Sequence, residues 1–236
     1  MKKLIQSSPK ETAQAFAEFI VEKQKNSKRL TIALSGGSTP KLLFDILSSE
    51  YVNEIDWNEI HLFWGDERCV APTDDQSNYK MTLEHLISKV AIPEANVYRI
   101  LGENDPAMEA ERYSSLLETE LQLANGLPQF DIIMLGLGED GHTASIFPHQ
   151  MDLLTSDDIS AVATHPDSGQ QRVTLTGKVI NNAKDICFLV TGAGKAEKVE
   201  EILHQTGGYI NYPAYYIQPT SGDLYWFMDS AAIAKL

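Results

Sequence analysis

The sequence predicts an α/β fold around a mostly parallel sheet, and three observations point there. Short apolar runs alternate with segments whose apolar residues recur at helical spacing, along the whole 236-residue chain. No repeat, low-complexity tract or linker interrupts that alternation. The glycine-rich and charged sequences fall directly after the apolar runs, at the carboxyl ends of the predicted strands, which is where open parallel sheets bind ligands. A chain of this length is expected to form one large domain over residues 1–236.

Taken in order, an opening helix is predicted over 9–25, with Ala13, Phe16, Ala17, Ile20 and Val21 sharing a face. Leu30–Leu34 reads as a buried strand broken by Ser35-Gly36-Gly37-Ser38-Thr39, and Pro40 suits the first turn of the helix that follows. Ile60–Trp64 is the second strand and ends in Gly65-Asp66-Glu67-Arg68. Ser77 is placed to cap a helix carrying Met81, Leu83, Leu86 and Val90. Residues 97–101 read as a short strand and 106–123 as an acidic helix. The clearest buried strand is 130–135, running into Gly136-Leu137-Gly138-Glu139-Asp140-Gly141-His142. Strands over 172–176 and 186–190 follow, the second opening into Thr191-Gly192-Ala193-Gly194-Lys195 and a helix, and 224–227 is the last strand.

Apolar residues make up 43% of the chain and charged residues 22%, an ordinary globular balance with ample material for a core. The 19 basic residues against 33 acidic ones leave a formal charge of −14, whose field repels nucleic acid and anionic membranes, so neither is an expected partner. An anionic substrate would need a local cluster of Arg and Lys to overcome that background. The amino terminus, Met1-Lys2-Lys3-Leu4-Ile5-Gln6, turns polar at once and lacks the apolar core of a signal peptide. No apolar run is long enough to span a bilayer, and a cytoplasmic location is expected. Cys69 and Cys187 lie far apart without CxxC-type spacing, which suggests reduced thiols rather than a zinc site or a disulfide framework.

Ser35-Gly36-Gly37-Ser38-Thr39 lies between a strand and a helix, where glycines let the backbone approach a ligand and free N–H groups favour a phosphate. The same residues also suit a tight strand-to-helix turn with a hydroxyl cap, and the segment alone leaves both readings open. Gly192-Ala193-Gly194-Lys195 lacks the first glycine of a nucleotide P-loop, and Ala196 stands where the magnesium-binding hydroxyl belongs, which argues against an ATPase. Its lysine still suits a phosphate as a point charge. Gly136 to Gly141 matches GxGxxG, but Pro148 cuts short the helix that a dinucleotide unit needs. His142 stands just after that turn with Asp140 two residues before it, an arrangement suited to proton transfer near neutral pH. Without HExxH or similar spacing it does not read as a metal ligand. Asp66-Glu67-Arg68 reads either as a solvated charge run or, because it follows a strand, as part of a site.

Together these segments resemble the 6-phosphogluconolactonase family, which shares its fold with the glucosamine-6-phosphate deaminases. The resemblance is carried in order by Leu34 to Pro40, by Gly65-Asp66-Glu67-Arg68 with Ser77-Asn78, and by Gly138 to Pro148. Arg172-Val173-Thr174-Leu175-Thr176, Gly192 to Lys195 and a tail with Pro213, Pro219, Gly222, Trp226 and Asp229 continue it over nearly the whole chain. It implies a Rossmann-like, mostly parallel sheet flanked by helices with no dinucleotide site. It also implies hydrolysis of 6-phospho-D-glucono-1,5-lactone with no organic cofactor and no metal. Deaminases resemble one another in a G-D-G-H-I-A-F-N-E-P stretch whose glutamate takes part in ring opening; Phe147 stands at that position here and cannot transfer a proton. The first loop also reads Ser-Gly-Gly-Ser-Thr instead of the deaminase-like Pro-Thr-Gly-Ser-Thr.

On this reading His142 is the general base, with Asp140 or Asp66 supporting the imidazole; the sequence does not choose between them. Gly36, Gly37, Ser38, Thr39, Arg68, Arg172 and Lys195 are expected to hold the phosphate and position the lactone. Asn78 either contacts substrate hydroxyls, braces the loop, or simply starts its helix. No sequence feature decides the oligomeric state, and a monomer is the working expectation.

Overall fold

A computed structural model describes residues 1–236. The chain opens with β1 (Lys2–Gln6) and α1 (Pro9–Gln24), then β2 (Leu30–Leu34), α2 (Ser38–Ser49) and β3 (Ile60–Trp64). β4 (Asp66–Arg68), α3 (Asn78–His85), β5 (Val97–Tyr98) and α4 (Pro106–Glu120) follow. The hairpin β6 (Gln122–Ala124) and β7 (Leu127–Gln129) leads to β8 (Ile132–Leu135), β9 (Ser160–Thr164) and β10 (Gln171–Leu175). The chain ends with α5 (Gly177–Asn181), β11 (Asp185–Val190), α6 (Ala196–His204) and β12 (Asp223–Asp229).

Seven strands form the central sheet in the order β1-β12-β11-β8-β2-β3-β5, and every neighbouring pair is parallel. β2, β8 and β11 are buried along their whole length, as strands covered on both faces must be, which is why they read as unbroken apolar runs. α1 and α2 lie side by side over one face, where Phe16, Ile20, Leu43, Phe44 and Leu47 meet Ile32, Leu34, Ile60, Leu62 and Met134. From α4, the buried Tyr113 hydroxyl donates to the Trp64 carbonyl and accepts from the Trp64 N–H, both at 2.9 Å. The chain leaves β2 toward β3 and leaves β8 toward β11, in opposite directions across the sheet. The boundary between β2 and β8 is therefore a topological switch point, and the loops after those strands splay apart to leave a crevice.

The structure corrects the sequence reading in several places. Residues 2–6 form an edge strand; with one neighbour and only partial burial, β1 carries no apolar run to betray it. The acidic helix stops at Glu120 rather than at 123, because Asn125 and Gly126 adopt positive φ (55° and 79°) and turn the β6–β7 hairpin. Asp66-Glu67-Arg68 is neither a loop nor a solvated run. It is β4, the edge of a three-stranded antiparallel sheet in the order β4-β10-β9, with Asp66 and Glu67 both buried. No helix is long and apolar enough to cross a membrane.

Candidate active site

The loops after β2, β3, β8 and β11 surround a cavity of about 220 Å³ at the carboxyl edge of the sheet. Gly36, Gly37, Ser38, Thr39, Asp66, Arg68, Asn78, His142, Arg172 and Lys195 line it, with Ser35, Gly138, Ala144 and Thr191 among the others. Asp140 does not line it and stands behind His142.

The loop after β8 is shaped around its histidine. The Gly138 N–H donates to the His142 carbonyl at 2.8 Å, and the Gly141 N–H donates to the Gly138 carbonyl at 3.1 Å, closing a compact turn. A Cβ on Gly138 would overlap the His142 ring and the Asp140 carboxylate, so only glycine leaves room for the pair. Asp140 Oδ1 lies 2.5 Å from His142 Nδ1 and accepts from the His142 N–H at 3.1 Å. Burial by itself would raise the Asp140 pKa, but hydrogen bonding and charge from His142 outweigh it and hold the carboxyl down at about 2. An ionised Asp140 accepting from Nδ1–H leaves Nε2 as the imidazole's proton acceptor. The other side of the imidazole packs on the buried Phe147 ring, 4.8 Å between centroids.

The two arginines arrive by a different route. β4 and β10 pair with Arg68 directly opposite Arg172. Like charges facing across an antiparallel pair repel. Burial lowers the Arg172 pKa below its ordinary value, and Arg68 lowers it further against the opposing pull of Asp66. Arg68 donates to the Gln76 carbonyl at 2.5 Å, and Arg172 Nη1 lies 4.0 Å from Asp66, yet the Nε of each guanidinium is buried without an acceptor. Two facing cations lining one cleft are a ready site for an oxyanion. Lys195, in the short helix just before α6, adds a positive charge from the β11 side. Gly37 is the N-cap of α2 and offers no side-chain cap, so the first N–H groups of that helix belong to the cleft residues Ser38 and Thr39.

Asp66 does not reach His142 by any hydrogen bond. Its carboxylate accepts from the buried Ser145 hydroxyl at 2.7 Å and faces Arg172. Asn78 does start α3, and it also braces the site. Its Nδ2 donates to the Asp66 carbonyl at 3.0 Å, and its Oδ1 fills the space where a Gly36 side chain would sit. Thr39 is tied to Thr191, hydroxyl to hydroxyl, at 2.8 Å.

Three supporting residues have no role assigned by the sequence reading. Glu67, 2% exposed, accepts from the Arg68, Asn78 and Tyr79 N–H groups at 2.7–2.8 Å and from the Ser77 hydroxyl at 3.0 Å. It thereby pins the start of α3, and burial pushes its pKa up against those hydrogen bonds. Ser145 and Ala144 sit beyond the histidine, Ala144 with a positive φ of 48° that is costly for a residue with a Cβ. Glu67 and Ser145 both lie within stretches that carry the family resemblance, but no local pattern gives either its partners. No three His, Cys, Asp or Glu side chains converge as a metal-ligand set.

Comparison with known proteins agrees along the full chain. The profile of the family described as glucosamine-6-phosphate isomerases/6-phosphogluconolactonase matches residues 6–226. A 6-phosphogluconolactonase of Haemophilus influenzae is 43% identical over 220 residues, covering 93% of this chain and 92% of that one. Among solved structures, the devB protein superimposes with a TM-score of 0.95 at 46% identity, covering 100% of this chain and 99% of that one. The 6-phosphogluconolactonase of Trypanosoma brucei gives a TM-score of 0.88 at 29% identity, covering 100% and 98%. The chain belongs to the glucosamine-6-phosphate isomerase/6-phosphogluconolactonase family.

Proposed function

We propose that the chain hydrolyses 6-phospho-D-glucono-1,5-lactone to 6-phosphogluconate, the second step of the oxidative pentose phosphate pathway. One observation carries the reading: a single cleft holds an imidazole oriented by a carboxylate together with two guanidinium groups that face each other across a strand pair. The first does proton transfer and the second holds a phosphate, and a phosphorylated lactone needs both.

His142 takes a proton from the water that attacks the lactone C1 carbonyl, and Asp140 holds the imidazole in the tautomer that presents Nε2. The attack forms a C–O bond and places negative charge on the carbonyl oxygen, which backbone N–H groups of the cleft loops stabilise. Collapse of that intermediate breaks the bond from C1 to the ring oxygen. The imidazolium returns its proton to the departing oxygen, so His142 ends neutral and ready for another cycle. Gly36, Gly37, Ser38, Thr39, Arg68, Arg172 and Lys195 anchor the phosphate and the sugar, with Asn78 bracing the loop after β2. Asp66 acts on Arg172 rather than on His142. Phe147 is fully buried against His142 and offers no carboxylate for deamination.

The same reading takes residues 1–236 as one domain, working as a monomer in the cytoplasm, where the free thiols of Cys69 and Cys187 stay reduced. The test is hydrolysis of freshly generated phosphogluconolactone followed against its spontaneous background without any added cofactor. Clear acceleration is expected, with unphosphorylated gluconolactone a much poorer substrate. No acceleration overturns the reading, and ammonia release from glucosamine-6-phosphate at a comparable rate moves the assignment to the deaminase.

A further inference from the structure

We infer that Tyr212 is a positioning residue, holding the turn that carries His142 to α6, the helix that follows Lys195. The inference rests on the lactonase reading for its kinetic consequences but on the geometry alone for the contact.

Gly141 directly precedes His142 and turns the chain with φ 83°. The Tyr212 side chain lies so close to its Cα that a Cβ there would overlap the Cβ, Cγ and Cδ1 of the tyrosine. Two residues beyond Tyr212, the Ala214 N–H donates to the Gly141 carbonyl at 3.1 Å. One segment therefore grips the residue before His142 on both its Cα and its carbonyl. The far end of the tyrosine is held as firmly. Its hydroxyl donates to Glu201 Oε2 at 2.5 Å and accepts from Lys198 Nζ at 2.7 Å, and that ammonium reaches Glu201 at 3.0 Å. Glu201 Oε1 also accepts from the Gly208 N–H at 3.3 Å, which fixes the start of the segment.

Lys198 and Glu201 lie on α6, whose first turn follows Lys195 at once. Lys195 is a cleft residue and His142 is another, so Tyr212 links two walls of the site that are remote in sequence. A tyrosine that merely covered apolar surface would leave its hydroxyl to water. This one shares a charge-assisted triad whose Lys198 and Glu201 side chains are each only 17% exposed. Fixing Gly141 fixes the angle at which the next residue meets Asp140, and the quality of that contact sets the imidazole's orientation and basicity.

The test compares Tyr212→Ala, Tyr212→Phe and the double variant Lys198→Met/Glu201→Gln in lactone hydrolysis, with circular dichroism to establish folding. Tyr212→Ala is expected to lower kcat about tenfold to hundredfold, as misplacement of a reacting group does, with KM unchanged. Its acid limb should move to lower pH, because an imidazole that loses its carboxylate partner loses proton affinity. Tyr212→Phe keeps the ring on Gly141 and should recover most of kcat, as should the double variant, each falling about twofold to fivefold for the lost hydrogen bonds. A folded Tyr212→Ala with wild-type kcat and pH profile overturns the inference, as does a KM that rises by the same factor as kcat falls. Should Tyr212→Ala not fold, wild-type kcat and pH profile in both other variants overturn it. Nitrogen-15 NMR of the His142 ring separates the two claims. A wild type without lactonase activity removes the proposed function, yet Nδ1 signals that move in the Tyr212 variants still support the positioning role, and unmoved signals overturn it.

Discussion

Asp140 and His142 stand two residues apart on one loop and touch directly, whereas Arg68 and Arg172 reach the same cleft on separate strands and face each other only because β4 pairs with β10. The first pair is attractive; the second is repulsive, two guanidinium groups opposed across a sheet. A local pair can be stable by itself and needs only a turn of the right shape. A repulsive, long-range pair needs a sheet to enforce it and an anion to complete it. On the proposed mechanism, chemistry and binding in this cleft therefore depend on different parts of the fold, and substitutions should separate them.

The largest expected effect belongs to the local pair. His142→Ala should lower kcat about 10²–10⁴-fold, the usual contribution of general base catalysis, and leave binding of 6-phosphogluconate nearly unchanged because its proposed anchors lie elsewhere. Single-turnover kinetics and product titration on a folded variant check both halves. Near-wild-type turnover would sink the mechanism while leaving the fold intact.

Asp140→Asn tests the same pair more gently. The amide keeps the size but loses the charge, so kcat should fall by about tenfold to hundredfold through misorientation of the ring. The sign of the pH effect follows from the carboxyl's depressed pKa of about 2, which keeps Asp140 ionised throughout the working range. Removing that negative charge lowers the proton affinity of His142, so the acid limb of the rate profile should move to lower pH. The stability this carboxylate contributes is present above its unfolded pKa of about 3.9 and is lost as pH falls toward the folded value, so the variant should also show a flatter stability profile in acid.

Against these, Arg172→Ala and Lys195→Ala should act on binding. Losing a charged hydrogen bond of about 1.5–3 kcal/mol raises KM roughly tenfold to hundredfold with a smaller effect on kcat. Unchanged KM in both folded variants would remove these residues from the phosphate site. The weaker variant should be Lys195→Ala, since a flexible point charge is more easily replaced by water than a guanidinium held between strands.

The same contrast explains what the sequence discloses. β2, β3, β8 and β11 are apolar runs because burial on both faces demands it, and their ends were legible with the loops that follow them. β1, β4 and β9 are short, edge-placed or mixed in burial, so no run marks them. His142 and Asp140 were legible as a pair because they are neighbours in sequence. That Arg68 faces Arg172, and that Asp66 turns to Ser145 and Arg172 and not to His142, follows from an antiparallel register that no local pattern encodes. Glu67 is a buried clamp rather than a solvated charge, because three of its four donors, on Ser77, Asn78 and Tyr79, are brought to it by the return of the chain at α3.

The smallest effect, and the one that most sharpens the comparison, is expected of Asp66→Asn. The two candidate carboxylates differ in what they touch: Asp140 lies 2.5 Å from His142 Nδ1, while Asp66 lies 2.7 Å from the Ser145 hydroxyl and 4.0 Å from Arg172. The amide oxygen can still accept from Ser145, so the hydrogen bond survives and only the charge goes. Two consequences for binding then oppose each other. Loss of a negative charge beside the guanidinium favours an incoming phosphate, while loss of the counter-charge lets Arg172 wander from its place. The two act in opposite directions on the same buried pair, so they offset and KM should stay within about threefold of wild type. Stability should fall, because a guanidinium with 12% side-chain exposure loses its counter-charge. The decisive measurement is the pH–rate profile. Asp66→Asn should keep the wild-type acid limb where Asp140→Asn shifts it. If the two variants shift it equally, Asp66 acts on the imidazole after all, and the cleft's proton-transfer and binding parts are not separate.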